Sequence, residues 1–190
     1  MNFASDNTAP AHPKVMEALV RANAGHAKSY GADALMEEVR DRIRDAFEAL
    51  EAAVYLVATG TAANALAIAC HTRPWGAVFC HANSHIEEDE CGAPEFYTDG
   101  AKLVLVGGDH ARMDPAELAR TIEWTGRGGV HNVQRGMVSL TNSTENGAVY
   151  TPAQVAEIAG IARDHGLPVH MDGARFANAL AACNASPAEM

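Results

Sequence analysis

Apolar residues recur along this chain with two different spacings. At the front the spacing is helical: Pro13 at a first-turn position and Gly25 as a stop bracket a helix over roughly 13–24. A longer helix follows, capped by Asp33, with Leu35, Val39, Ile43, Ala46, Phe47 and Leu50 on one face. The pattern then changes to short apolar runs at 54–57, 77–79, 103–106, 137–140 and 168–171, which read as buried strands. Helical patterns separate most of them. Asp114-Pro115 starts one, and Thr151-Pro152-Ala153-Gln154 is a capping box that opens another, ending near His165-Gly166. Strands alternating with helices predict an α/β fold, with a mostly parallel sheet covered on both faces. Near the end, Ser186-Pro187-Ala188-Glu189 repeats the S-x-x-E form of a capping box one residue before the sequence stops. A helix announced there leads us to expect the front portion of a longer protein.

Composition narrows the function classes. With 48% apolar content, 190 residues can bury one sizeable core. Lys and Arg number 14 against 24 Asp and Glu, and the net charge of -10 repels a phosphate backbone, so no nucleic-acid partner is expected. Cys70, Cys80, Cys91 and Cys183 have neither CxxC spacing nor the density of a disulfide scaffold, which predicts reduced thiols and a cytoplasmic location. The first residues lack the basic and apolar regions of a signal peptide. The most apolar stretch, 52–70, is broken by Thr59-Gly60-Thr61 and Asn64, which argues for strand, turn and helix and against a membrane span.

Three segments carry candidate chemistry. Residues 57–64 run from an apolar run through Thr59-Gly60-Thr61 into a helix, leaving free amide donors at a positive helix end. A phosphate fits there, although such a turn also serves as plain punctuation. Residues 169–175 put Asp172 where an apolar strand ends, the edge at which open α/β sheets bind ligands; an N-cap for the next helix is the alternative. Arg175 can grip a substrate carboxylate or pair with Asp172. In the third, His81 and His85 have HxxxH spacing, which on a helix would share one face, but no third ligand follows at a familiar distance and no metal is expected. The acids Glu87 to Glu90 read as a solvated helix end from which one can turn inward.

Taken in order, Ser5-Asp6-Asn7, Tyr30-Gly31, Thr59-Gly60-Thr61-Ala62-Ala63-Asn64, Ser84-His85-Ile86 with Glu90 and Gly92, His131, and His170-Met171-Asp172-Gly173-Ala174-Arg175 form a set. As a set it resembles the low-specificity threonine aldolases, and more closely their phenylserine-aldolase branch, within the fold-type I pyridoxal-phosphate enzymes. The resemblance spans the whole chain. It implies the three-layer large domain of those enzymes over 26–190, behind an N-terminal arm and helix over 1–25. It implies that Gly60, Thr61 and Ala62 hold the phosphate of pyridoxal 5'-phosphate, that His85 stacks on its ring, and that Asp172 faces the pyridine nitrogen. Ser5 and Arg175 would hold the amino acid's carboxylate. The implied reaction is retro-aldol cleavage of a β-hydroxy-α-amino acid to glycine and an aldehyde, with His85 and His131 as candidates near the β-hydroxyl. His131 also fits a plain loop position in the Gly-rich stretch 126–136. A homo-oligomer, dimer or tetramer, with sites at its interfaces completes the implication.

Two departures from the family pattern bear on this. Where many threonine aldolases carry Glu-Asn-Thr-His, this chain has Thr141-Asn142-Ser143-Thr144-Glu145-Asn146, which favours an aromatic β-hydroxy amino acid over threonine. The Schiff-base lysine of the family would lie beyond the last residue, since Lys14, Lys28 and Lys102 have no matching context. The C-terminal small domain is expected beyond it as well, and these residues alone are expected to be inactive. Two rival readings stand beside this one: a related β-eliminating lyase of the same fold type, and a non-catalytic remnant.

Overall fold

The computed structural model describes residues 8–127 and 129–190. Its helices are α1 Pro13–Ala22, α2 Ala34–Ala46, α3 Gly60–His71, α4 His85–Glu88, α5 Ala93–Tyr97, α6 Pro115–Trp124, α7 Pro152–Asp164 and α8 Phe176–Cys183. The strands are β1 Gly76–His81, β2 Lys102–Val106, β3 Gln134–Thr141 and β4 Val169–Asp172.

Local chemistry fixes the helix starts. The Asp33 carboxylate accepts from Met36 N, Asp114 from Glu117 N, and Thr151 and Gln154 form a reciprocal capping box at α7. The S-x-x-E box also forms, with Ser186 and Glu189 closing a short 3-10 turn, Pro187–Glu189.

Among the described residues the four strands form one all-parallel sheet in the order β2-β1-β3-β4. Alternate residues of β1 feed two cores, one on each face. Ala77 and Phe79 point to a cluster with Leu118, Ile122, Val138, Leu140 and Ile158, under α6 and α7. Val78 and Cys80 point the other way, to Ile68 of α3, Ile86 and Met137. Period-two alternation on a sheet buried on both sides makes the α/β architecture three layers deep. At the β1–β3 pairing the register slips between Ala77 and Val78. Gly136 is the extra residue there, and a Cβ on it would lie 2.6 Å from Ala77 O, so only glycine lets the strands stay paired.

One expected strand is absent. Residues 54–57 belong to no helix or strand, with Tyr55 83% and Leu56 69% exposed. An apolar run becomes a strand only with a neighbour to share its backbone hydrogen bonds, and no strand of the β2-β1-β3-β4 sheet lies alongside. The front helices form where expected, but α1 buries none of its residues and α2 only Met36. Val15, Met16, Leu19, Leu35, Phe47 and Leu50 all keep exposed apolar surface. No helix of the described residues is long and apolar enough to cross a membrane.

Candidate active site

The carboxyl ends of β1, β3 and β4 open on one edge of the sheet, where parallel α/β folds gather their ligands. β4 ends on Asp172, which pairs in register with Thr141 at the end of β3. β1 ends on His81, and one tight turn later α4 begins at His85. The end of β4, the start of α4 and the start of α3 border a cavity of about 490 Å³ lined by Gly60, Thr61, Asn64, His85, Glu90, Asp172 and Arg175, among others. A wider cleft of about 970 Å³ lies between α1 and α2 and contains none of the expected site residues.

A chain of hydrogen bonds crosses the floor of the cavity. Asn64, buried in α3, donates its side-chain amide to Glu90 Oε1 at 2.8 Å and to Asp172 Oδ2 at 3.0 Å. The other oxygen of Asp172 accepts from Ala174 N at 3.0 Å. His85 Nδ1 lies 3.1 Å from the same Glu90 oxygen. Glu90 has a fully buried side chain, and its second oxygen has no hydrogen-bond partner among the described residues. The ring of His85 keeps 39% of its side-chain surface exposed. Buried carboxylates persist where donors meet them, and here one amide serves two.

A second set of contacts approaches from the loop after β3. Glu145 Oε1 accepts from the backbone N–H of His85 at 2.9 Å and lies 3.9 Å from Arg175 Nη2. Arg175 Nε also donates to Ser143 O at 3.3 Å. Asn142 and Thr144 are buried: the Asn142 side chain bonds the backbone of Tyr150, and Thr144 Oγ1 donates to His110 O. Two residues before Asp172, His170 Nδ1 lies 2.9 Å from Ser139 Oγ. Burial pushes its pKa below the ordinary value near 6.5, with the Asp172 charge working the other way.

The structure therefore brings together Gly60, Thr61, His85, Asp172 and Arg175. Asp172 does not cap α8, whose first turn is preceded by Arg175. The N–H of Ala62 is engaged by the Thr59 hydroxyl at 3.1 Å, which leaves Gly60 and Thr61 as the open amides of the turn. His131 is exposed in the loop between α6 and β3 and does not line the cavity. Ser5 lies outside the described residues. The HxxxH pair does not share a helix: His81 ends β1 with Nε2 3.1 Å from Gly108 O, whereas His85 starts α4. Among the described residues no three potential metal ligands converge.

Asn64, Glu90 and Glu145 join the site without having been singled out as site residues. Asn64 carries a sequence signal, a lone amide in an otherwise apolar helical stretch. Any acid of 87–90 can turn inward by sequence, and the one that does, Glu90, is set by a partner 26 residues away.

A family model described as beta-eliminating lyase matches residues 2–190. The chain belongs to the beta-eliminating lyase family. Within it, the chain is 40% identical over 188 residues to a low specificity L-threonine aldolase of Pseudomonas aeruginosa, covering 99% of this chain and 54% of the relative. A low specificity L-threonine aldolase of Saccharomyces cerevisiae is 27% identical over 180 residues, 93% of this chain and 45% of that one. Among solved structures, a threonine aldolase of Leishmania major superposes with a TM-score of 0.88 at 28% identity, over 96% of this chain and 53% of that chain. The chain thus spans about half the length of the relatives it matches.

Proposed function

We propose that the whole protein cleaves the Cα–Cβ bond of a β-hydroxy-α-amino acid, of threonine or phenylserine type, with pyridoxal 5'-phosphate as cofactor. The observation that carries this reading is the Asp172–Asn64–Glu90–His85 chain of hydrogen bonds on the floor of a cavity that also holds a helix N-terminus. The relatives named as L-threonine aldolases support it.

The residues fit the cofactor. A Cβ built on Gly60 meets nothing within 4 Å, so a phosphate has open space over the first amides of α3, at the positive end of its dipole. Asp172 is a buried carboxylate with one oxygen held by Asn64 and one by Ala174 N, a fixed anion suited to keeping a ring nitrogen protonated. The half-exposed imidazole of His85 offers a flat face to a planar ring. When bound, pyridoxal phosphate supplies a sink for the electrons released as the Cα–Cβ bond breaks.

The chain's own residues do the rest. Arg175 holds the substrate carboxylate by charge-assisted hydrogen bonds and fixes which Cα bond is aligned for cleavage. His85 takes the proton of the β-hydroxyl as the aldehyde departs. Glycine follows once Cα regains a proton. His131, exposed in its loop, is a weaker candidate for the same proton. The altered segment 141–146, buried from Thr141 to Thr144 and touching Arg175 through Ser143 O, supports a preference for an aromatic side chain.

A homo-oligomer with sites at its interfaces is part of this reading, supported by the apolar surface that α1 and α2 leave exposed. So is a cytoplasmic location, supported by four free thiols.

The test is product analysis with the full-length protein, loaded with cofactor and given phenylserine or threonine. Glycine and the aldehyde are expected. Asp172→Asn should lower the rate by about 100-fold or more, the scale on which loss of one preorganised electrostatic group acts. Ammonia and an oxo acid would instead mark a β-eliminating lyase, and no product from well-folded, loaded protein would favour a non-catalytic remnant.

A further inference from the structure

Glu90 stands apart in this site. It reaches no solvent, yet it carries a carboxylate, and one of its two oxygens is unpartnered among the described residues. A buried polar atom left unsatisfied destabilises a fold, so a residue kept there answers to something other than packing. The other oxygen has two neighbours, Asn64 Nδ2 at 2.8 Å and His85 Nδ1 at 3.1 Å.

Hydrogen-bond chemistry decides what those neighbours do. An ionised carboxylate only accepts, so the imidazole nitrogen facing it carries a hydrogen. In neutral imidazole the other nitrogen then holds a lone pair. Nδ1 is turned into the buried floor, so Nε2 is the nitrogen left on the cavity side, where His85 is part of the wall.

Resting on the reading above, we propose that Glu90 is a positioning residue: it fixes the proton of His85 on Nδ1, presents Nε2 to the cavity as a proton acceptor, and is itself locked to Asp172 through Asn64. The side chain under the substrate's hydroxyl and the carboxylate assigned to the cofactor's ring nitrogen are thereby held in one rigid array. Asn64 is the link, because its two amide hydrogens serve the two carboxylates.

The array also predicts how substitutions behave. In Glu90→Gln the amide has one oxygen to place, and a flipped amide would aim its NH2 at the NH2 of Asn64. The carbonyl therefore stays where Glu90 Oε1 is, and His85 keeps its Nδ1 hydrogen. Glu90→Leu removes the acceptor altogether.

The experiment is solid-state 15N NMR of the histidine-labelled full-length protein, with and without pyridoxal phosphate and with the His85 signals assigned by difference from His85→Gln. Wild type and Glu90→Gln are expected to show a protonated Nδ1 and an unprotonated Nε2, and Glu90→Leu to lose that pattern. A wild-type spectrum with the hydrogen on Nε2, or a folded Glu90→Leu with the pattern intact, overturns the proposal. If Glu90→Leu does not fold, the wild-type spectrum and Glu90→Gln still decide it: a bare Nδ1 in either is disproof. The readout needs no turnover, so its failure is separable from failure of the aldolase reading, which product analysis decides.

Discussion

Asn64 and Asp172 stand 108 positions apart in the sequence, yet Asn64 Nδ2 lies 3.0 Å from Asp172 Oδ2. One residue is on the first turns of α3 and the other on the last position of β4, so this single bond ties a helix of one layer to the carboxyl edge of the sheet.

Asn64→Leu removes the donor shared by two buried carboxylates. Glu90 Oε1 keeps His85 Nδ1 but Asp172 Oδ2 loses its partner, so urea unfolding should show a loss of about 1–3 kcal/mol. Asn64→Asp should be worse near neutral pH and recover partly on acidification, because three carboxylates then converge. An unchanged midpoint in both variants would mean the array contributes nothing to stability.

Tyr150 illustrates a purely structural bond. Its side chain is 2% exposed, and its hydroxyl oxygen accepts from Met113 N at 2.5 Å. Burial, the largest influence, pushes its pKa up to about 12, so it remains a neutral phenol across the stable range. Tyr150→Phe leaves the Met113 N–H without its acceptor and should cost about 1–3 kcal/mol in thermal unfolding, with cofactor affinity unchanged.

His170 gives the fold a pH dependence with a definite sign. Its pKa is lowered in the native state by burial, so below about 6.5 the unfolded chain binds a proton that the native chain refuses. Its contribution is present above the unfolded value and is lost as pH falls toward the depressed native one. Melting temperature measured from pH 7.5 downward should fall through this window, and His170→Asn should flatten that part of the profile. A slope that survives the substitution would assign it to other groups.

The four thiols should separate by reactivity. Burial pushes the Cys80 thiol up to about 12, whereas Cys70 and Cys91 are exposed. Brief native treatment with iodoacetamide followed by mass spectrometry should label Cys70 and Cys91 and spare Cys80. Labelling of Cys80 at a comparable rate would require the sheet to open around β1.

Much of the fold was legible because its signals are local. Asp33, Asp114 and Thr151 cap their helices through atoms three residues away, and four of five apolar runs found strand partners. The run at 54–57 failed because pairing is not a local property, and Tyr55 and Leu56 look the same in sequence whether or not a neighbour exists. The candidate site divides the same way. A glycine turn before a helix and an aspartate ending a strand announce themselves, as Gly60 and Asp172 did. The contacts of Glu90 with Asn64, 26 residues away, and of Glu145 with the His85 N–H, 60 residues away, depend on how the layers stack. His131 sits in a glycine-rich loop whose path no periodicity constrains.

The all-parallel sheet has a kinetic consequence. Parallel neighbours cannot be joined by a tight hairpin, so each of the three pairings waits for an intervening crossover to be laid down. The cavity needs a closure longer than any of these, between the start of α3 and the end of β4, and chain closure of that length is slow relative to local helix formation. Ligand-binding competence should therefore appear last during refolding, after most helical signal has returned, and the species that precede it carry open strand edges prone to self-association.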